Sequence, residues 1–379
     1  MIFSDTKKRR DILFFFLVLV CSVVIFIIPG PKMGSQATNT LRVKAKVISV
    51  DNSEVNQFGI VKTGDQTVVA EILNSRFKGK HINAVNILMG KMEFDKIFTE
   101  GDTVLATLNI DENTDEVLFG NIVDHYRINL ELVLFLLFVG LLVFYSGWTG
   151  VRAIVSFIFT GLMIWKVLIP GFLAGLSPII LSNSVVAIFT GVIIFLIAGF
   201  NRTGVNAFAS AISGVIVTTV LALLFGALFK IHGATKPFTE MLLYAGYAHL
   251  NITDIFLSGI FLASSGAVMD IAMDVSASMT EVLNKKPDIT RKELFLSGIK
   301  VGRAVIGTMT TTLLLAYSGG YTGLLMVFVA QGTPGINILN LNYVAAEVLH
   351  TLVGSFGLVI VAPLTAFLGS FILLYDRKE

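Results

Sequence analysis

Three charged residues stand inside apolar stretches of the sequence, where an ionisable side chain needs a physical reason. Asp270 and Asp274 are one helical turn apart, so a helix would present both on one face. Arg303 follows in the next apolar stretch, at a comparable predicted depth. A charge at the bilayer centre costs about 2.5–3.5 kcal/mol on insertion scales. We therefore predict that the three form a cluster, either a proton relay or cation site, or a structural ion pair that holds two helices in register.

Two further polar sets lie in the neighbouring apolar stretches. Thr308, Thr311 and Thr312 share one side of the helix that carries Arg303, so their hydroxyls either line a polar path or hold helices together. Glu347 and His350 have the i, i+3 spacing of di-iron bundles, but the second pair and the additional Glu residues of those bundles are missing. We predict a hydrogen-bonded, protonatable pair that faces the bundle interior, with no metal and no cofactor.

Motifs of the common catalytic classes are absent from the sequence. There is no Gly-x-x-x-x-Gly-Lys-Ser/Thr phosphate loop, no His-Glu-x-x-His and no Gly-x-Ser-x-Gly. The single cysteine, Cys21, excludes an internal disulfide framework and a cysteine-based zinc or iron–sulfur site. The net charge of +2 gives no basic field for nucleic acid. We predict that the protein is not an enzyme and does not bind nucleic acid.

The elements that must position these residues are membrane helices. Apolar residues make up 54% of the chain and charged residues only 14%, whereas soluble domains carry about a quarter charged residues. Eight runs are long and apolar enough to cross a bilayer: 12–28, 130–146, 151–169, 178–199, 204–229, 253–278, 296–318 and 343–374. The predicted fold is an α-helical polytopic membrane protein with about eight transmembrane helices.

The chain divides into three predicted parts. Residues 1–31 hold a basic tail and an apolar stretch, which we interpret as an uncleaved anchor rather than a signal peptide. Residues 32–129 contain short runs of alternating apolar and polar residues, such as 41–47 and 66–70, separated by turn signals. This pattern predicts a small all-β domain, an OB-like barrel or a sandwich. Residues 130–379 form a membrane bundle of about seven helices.

Two segments of the bundle do not have the pattern of simple spans. Residues 237–250 are rich in Phe, Met, Leu and Tyr and predict an interfacial amphipathic helix. Residues 321–330 are an apolar run too short to cross, followed by the helix-breaking sequence Gly-Thr-Pro-Gly. That run is either a re-entrant half-helix or a loop.

The distribution of Lys and Arg in short loops predicts the orientation. With the N-terminus inside, only two basic residues of the short loops, Lys230 and Lys236, lie on the outer side. Twelve lie on the cytoplasmic side: Lys7, Lys8, Arg9, Arg10, Arg152, Arg202, Lys285, Lys286, Arg291, Lys292, Arg377 and Lys378. We therefore predict that both termini are cytoplasmic and that the β-domain is extracytoplasmic.

Two blocks of the sequence carry a family resemblance. Residues 265–274, SGAVMDIAMD, and residues 297–317, SGIKVGRAVIGTMTTTLLLAY, resemble the YibE/F family of bacterial multi-spanning membrane proteins. The order of anchor, β-domain and membrane bundle resembles that family too. The resemblance implies a multi-pass protein of the bacterial cytoplasmic membrane with an extracytoplasmic N-terminal domain, and it brings no established activity.

Two functions follow from these observations as hypotheses. The leading one is an ion- or proton-coupled permease for a small solute or ion, with Asp270, Asp274 and Arg303 as coupling groups. The alternative is a non-transporting membrane scaffold or regulator whose β-domain binds an extracytoplasmic partner. A membrane enzyme would need a metal at Glu347 and His350. The predicted partners are the lipid bilayer and either a paralogous membrane protein or further copies of the chain.

Overall fold

The computed structural model describes residues 2–28, 40–111 and 116–374, with side chains from residue 9 onward. The predicted cytoplasmic residues Arg377 and Lys378 lie outside these residues, as do the side chains of Lys7 and Lys8. The chain forms two compact units, one of residues 31–141 and one of residues 1–30 with 142–379.

The smaller unit contains a nearly closed, five-stranded antiparallel barrel. Its strands are β1 Thr40–Phe58, β2 Val61–Ile72, β3 His81–Met89, β4 Thr103–Ile110 and β5 Val117–His125. They pair in the order β3-β2-β1-β4-β5, and the two end strands approach each other. A Cβ added to Gly120 on β5 would lie 3.0 Å from the Cβ of Ile82 on β3. The prediction of a small all-β domain is confirmed.

The barrel interior follows from the alternation in the sequence. Val43, Ala45 and Val47 of β1 are all buried, and their neighbours along the strand are more exposed. Gln66 is a fully buried polar exception. Its side-chain amide donates to the backbone carbonyl of Phe98 at 3.0 Å, and its carbonyl accepts from the Phe98 backbone N–H, also at 3.0 Å. The pair satisfies its polar atoms inside the barrel, which is the condition for burying an amide.

The larger unit is helical. Its long helices, together with α2, which begins in the smaller unit, are α1 Ile2–Ile27, α2 Ile128–Met163, α4 Pro178–Ile197, α5 Arg202–Phe229, α7 Ile252–Lys285, α8 Arg291–Ser318 and α11 Asn342–Ile372. The short helices are α3 Ile169–Leu173, α6 Met241–Tyr244, α9 Thr322–Ala330 and α10 Gly335–Asn340. Helix α7 packs against α4, α5, α8 and α11, so it is the centre of the bundle.

Seven helical segments of the described chain are long and apolar enough to cross a membrane. The sequence predicts eight spans. The two numbers differ because two of the predicted runs, 130–146 and 151–169, form one helical segment in the structure, Ile128–Leu173, of 46 residues. A straight helix of that length would measure about 69 Å, more than twice the thickness of a hydrocarbon core. Gly147 interrupts it with φ 54° and ψ −129°, a conformation that glycine adopts without steric cost. The polytopic helical fold is confirmed, whereas the orientation stays a prediction.

Small residues let the central helices approach closely. A Cβ on Gly298 of α8 would lie 2.8 Å from the Cβ of Ala366 on α11. A Cβ on Gly302 would lie 2.9 Å from the Cβ of Ala362, one turn away. Without an apolar driving force between helices in lipid, such close van der Waals packing supplies much of their association. Residues 298–302 of α8 therefore pack closely against α11.

Buried polar contacts add to this packing. The side-chain amide of Asn206 on α5 donates to the hydroxyl of Ser276 on α7 at 2.7 Å and to the carbonyl of Thr365 on α11 at 3.3 Å. At the start of α8, Thr290 and Glu293 form a capping box. These contacts fix three helices laterally and set where α8 begins.

Residues 237–250 contain one helical turn, α6, so the prediction of an amphipathic helix there is wrong. Pro237 cannot donate a helical hydrogen bond, and Phe238 follows with φ 62°. Helix α9 covers most of the run 321–330 and follows α8 after a single 3₁₀ turn, Gly319–Tyr321. The run 321–330 is therefore helical and is not a plain loop.

The close packing at Gly298 gives a stability prediction. Gly298→Val places new methyl groups against Ala366 and the sulfur of Met279, 2.7 Å from the added Cβ. We expect a loss of about 1–3 kcal/mol, the usual cost of overpacking. The measurement is the midpoint temperature of the purified protein in detergent. Gly161→Val is the matched control, because nothing lies within 4 Å of a Cβ there. Equal midpoints for both variants would contradict the packing described.

Candidate functional site

A lysine and a glutamate far apart in the sequence form an ion pair at one end of the helical bundle. The ammonium of Lys236 donates to Oε2 of Glu347 on α11 at 2.9 Å, and to the hydroxyl of Tyr321 at 3.2 Å. Glu347 is 9% exposed, so its carboxylate depends on this lysine for charge compensation. The ammonium also lies 5.0 Å from the ring centroid of Tyr321, within cation–π range.

The loop that carries Lys236 is held against the bundle by its own small and apolar residues. Gly233 begins a 3₁₀ turn, and an added Cβ there would collide with the backbone carbonyl of Ile252 at the start of α7. Its N–H donates to the hydroxyl of Thr253 at 3.3 Å. Ile231 is buried in a cluster with residues of α5, α7 and α11. Glycine is therefore needed at 233 for the loop to lie close enough to place Lys236 over Glu347.

The electrostatics of Lys236 are set by two opposing effects. Burial lowers the pKa of Lys236, whereas the hydrogen bond and charge of Glu347, with a smaller effect of Tyr321, raise it. The net pKa of Lys236 lies above its ordinary value, so the lysine keeps its proton.

A tyrosine–histidine stack lies beside the ion pair. The rings of Tyr317 and His350 are stacked with centroids 4.4 Å apart, and His350 follows Glu347 by less than one helical turn. Gly354 lies next to the stack, and a Cβ there would be 3.6 Å from the Tyr317 ring, in ordinary van der Waals contact. The Tyr317 hydroxyl and both ring nitrogens of His350 are buried and have no hydrogen-bond partner in the described part of the chain. Such orphaned polar atoms mark a place where water or a polar ligand fits.

A cavity of about 520 Å³ opens next to the pair. Its volume falls within the usual range for sites that bind small molecules. Aromatic and apolar side chains form most of its wall, and charged groups stand at its edge. The lining residues are Ala234, Thr235, Lys236, Pro237, Phe238, Glu240, Met241, Gly320, Tyr321, Leu324 and Tyr343. The arrangement suits a small molecule that has an apolar body and a charged group.

The residues predicted to couple transport lie elsewhere. Asp270, Asp274 and Arg303 are exposed on the helical unit, and among the described residues no ion pair joins either aspartate to the arginine. The structure therefore brings the two aspartates onto one face, as expected, without closing the cluster. Their coupling role stays a prediction.

The predicted threonine path lies on α8, the helix that also carries Arg303. Thr308, Thr311 and Thr312 are exposed, and the hydroxyls of Thr308 and Thr312 donate to carbonyls of their own helix. If these hydroxyls held helices together within this chain, they would bond to a second helix. The bonds of Thr308 and Thr312 stay within α8. A role in a polar path stays a prediction.

Two family models match the chain. The model described as YibE/F-like protein matches residues 134–374, and the one described as YibE/F family N-terminal domain matches residues 40–125. Together they cover the helical bundle and the barrel. The chain belongs to the YibE/F family. No curated protein and no solved structure gives a significant match.

In this YibE/F protein, Glu347 and His350 do not bond to each other. Glu347 bonds to Lys236, and His350 stacks on Tyr317. The predicted hydrogen-bonded pair is therefore wrong in its partner, although Glu347 does face the interior. Within the described ranges, no group of three or more His, Cys, Asp and Glu residues could hold a metal ion.

Local spacing could not have found Lys236. It lies 111 residues from Glu347 in a loop whose fold depends on Gly233. One signal was available, however. Lys230 and Lys236 are the only cations in the predicted outer loops, so a glutamate at that end of the bundle has few basic partners to choose from.

Removal of the lysine should expose the dependence of Glu347 on it. Lys236→Met leaves a buried carboxylate without its cation, and we expect a loss of about 1–3 kcal/mol or more. The double variant Lys236→Met with Glu347→Gln should be less destabilised than the single variant, because it removes the unpaired charge. The measurement is a double-mutant cycle of unfolding in detergent.

The control for this cycle is Lys230→Met, an exposed lysine of the same loop with no side-chain partner in the described chain. Its effect should stay within about 0.5 kcal/mol. If the two single losses in free energy of unfolding add up to the loss of the double variant, the interaction between Lys236 and Glu347 makes no contribution to stability.

The pair also predicts a pH dependence. A lysine whose folded pKa is raised contributes stability below its unfolded pKa and loses it as the pH rises through the folded value. The difference in unfolding midpoint between wild type and Lys236→Met should therefore be constant up to the ordinary pKa of 10.5 and shrink above it. The measurement is a series of melting curves from neutral to alkaline pH. A difference that widens above that value would contradict the raised pKa.

Proposed function

We propose that this YibE/F protein is an ion- or proton-coupled permease for a small solute or ion. The observation that carries the proposal is the ion pair between half-buried Lys236 and buried Glu347, beside a cavity of about 520 Å³ at one end of the helical bundle. Ionisable groups inside apolar helices are costly and usually mark substrate or ion pathways. A purely structural pair needs no cavity of ligand size at its side.

The chemistry of the pair supports a specific coupling step. Protonation of the Glu347 carboxylate removes its charge and leaves the Lys236 ammonium without its anion. An anionic group of the solute then replaces the carboxylate beside the ammonium, and the Tyr321 hydroxyl, now in contact with Lys236, remains as a second polar partner. One proton and one negative charge enter the site together, so the step adds no net charge to a low-dielectric region. The step assigns no bond-breaking chemistry to the chain.

The location of this transport follows from the charge bias of the loops. We infer that the protein lies in the bacterial cytoplasmic membrane with both termini in the cytoplasm, because basic residues are concentrated in the loops of one side. In that orientation the Lys236 cavity opens outward, and the barrel is extracytoplasmic.

The end strands of the barrel favour a second candidate function, a scaffold or regulator whose β-domain binds an extracytoplasmic partner. Strand β3 exposes Val85, Ile87 and Met89, and strand β5 exposes Leu118 and Phe119. An incompletely closed barrel presents edge strands, and a partner strand can pair with such edges. Loss of function on deletion of 41–127, combined with tolerance of Glu347→Gln and Asp270→Asn, would favour this alternative.

Transport can be tested with purified protein in pyranine-loaded liposomes under an inward proton gradient. Phosphate, sulfate, succinate and aspartate are added outside one at a time, and the dye reports proton entry. We expect at least one anion to accelerate acidification through the wild-type protein. Glu347→Gln should abolish that acceleration, because the coupled proton has no acceptor.

Glu131→Gln is the matched control, since Glu131 is exposed in the first turn of α2 and touches neither the Lys236 cavity nor the ion pair. It should transport like wild type. Flux retained in Glu347→Gln but lost in Asp270→Asn would return the coupling role to the aspartate predicted from sequence. Wild-type acidification no faster than in empty liposomes for all four anions would remove the proposal in this form.

A further inference from the structure

An exposed polar stripe runs along α7 at membrane depth. Its members recur every three or four residues and all are exposed: Ala263, Gly266, Asp270, Asp274, Ala277 and Glu281. The rest of the circumference of α7 packs inside the bundle. The stripe is therefore the one side of the central helix that the described chain does not cover, and it carries two aspartates within an apolar span.

A complementary stripe runs along α8. Lys300, Arg303, Gly307 and Thr311 are exposed on a face that points away from the contacts of α8 with α11. Lys300 and Arg303 have no hydrogen bond or ion pair with any other described residue. One helix thus presents acidic groups and the adjacent helix presents basic ones, and no described residue of the chain neutralises either set.

The glycines of these helices fall into two classes that match the two faces. Gly298 and Gly302 point at α11, where an added Cβ would lie under 3.0 Å from alanine side chains. Gly266 and Gly307 lie in the exposed stripes, and nothing stands within 4 Å of a Cβ built on them. Small residues in membrane helices usually serve close approach of another helix. Gly298 and Gly302 therefore allow close contact between helices of this chain. Gly266 and Gly307 face no other helix in the described part of the chain.

The charges of the two stripes lie at matching depths. Helices α7 and α8 are joined by the short connection 286–290, so depth can be counted from their shared end. At 1.5 Å per residue, Asp274 lies about 17 Å from Lys285, and Asp270 about 23 Å. Arg303 lies about 18 Å from Arg291 by the same measure. A twofold axis along the membrane normal preserves depth, so it would bring Arg303 of one copy level with the aspartates of another.

We propose that this face of α7 and α8 binds a second copy of the chain, with Asp270 and Asp274 of each protomer paired to Arg303 of its partner copy. A twofold interface must be complementary to itself, and this face carries both signs of charge and open glycines on adjacent helices. Pairing neutralises charges that are costly in lipid, and the glycines permit close approach.

The test counts subunits of the full chain, fused to a C-terminal fluorescent protein, by photobleaching in phosphatidylethanolamine–phosphatidylglycerol liposomes. We expect two bleaching steps for wild type. Gly266→Leu should give single steps, because it fills space that the monomer leaves open. Gly161→Leu, also open but outside the stripe, should keep two steps.

A charge exchange tests the pairing separately. Arg303→Glu should give single steps through repulsion, and the double variant Asp274→Arg with Arg303→Glu should recover two. Monodisperse elution from a size-exclusion column in detergent shows which variants fold. If the charge variants do not fold, the bleaching steps of Gly266→Leu decide the test.

Three results would overturn the inference. Wild type could bleach in single steps at every protein density. Two steps could persist in both Gly266→Leu and Arg303→Glu, which would place the interface on another face. Finally, Gly266→Cys in a Cys21→Ser background could react with a membrane-impermeant maleimide as fast as a soluble thiol, which would mean that water covers the stripe.

Discussion

The cost of an unneutralised charge in hydrocarbon is the constraint on which the rest of the helical unit depends. At one end of the bundle the charge of Glu347 on α11 is neutralised within the chain, by the ammonium of Lys236 at 2.9 Å. That contact requires a loop pressed against the start of α7, and the loop reaches it because residue 233 is glycine. A backbone requirement at one position therefore decides whether a buried carboxylate more than a hundred residues away is neutralised.

Helix packing obeys a related constraint. In lipid, helices gain little by hiding apolar side chains from each other, so shape and hydrogen bonds carry more of the association. Gly298 and Gly302 meet alanines of α11, and Asn206 joins α5 to α7 and α11 through its side-chain amide. A glycine that no neighbour approaches has no such use within the monomer. Gly266 therefore calls for a different explanation from Gly298, although both lie in apolar helices with similar surroundings in sequence.

Patterns of short range predicted most of the fold. Alternation in β1 placed Val43, Ala45 and Val47 inside the barrel because a strand side chain can only point in or out. Helical spans followed from length and hydropathy. The segment 237–250 was predicted wrongly because its composition is amphipathic while Pro237 and the positive φ of Phe238 prevent a continuous helix.

Contacts between distant segments were beyond the same reasoning. Glu347 and His350 were found from their spacing, but their partners, Lys236 and Tyr317, come from a loop and another helix. Spacing along α11 fixes which residues share its face and says nothing about what packs on that face. The predicted cluster of Asp270 with Arg303 illustrates the limit: equal depth on neighbouring helices does not make the two side chains point at each other within one chain.

The two sets of charges differ in what it takes to separate them. Asp270 lies about 27 Å along α7 from the end where the Lys236 loop is attached, so the sets act at different depths. To break the Lys236–Glu347 pair, only the lysine side chain must move, because it extends from a loop and is about one-third exposed. Asp270 and Arg303 stand on long helices that pack tightly in the bundle, so partners across an interface could separate only if subunits or whole helices moved. A site that must open in each transport cycle fits the first set, and a lasting contact between copies fits the second.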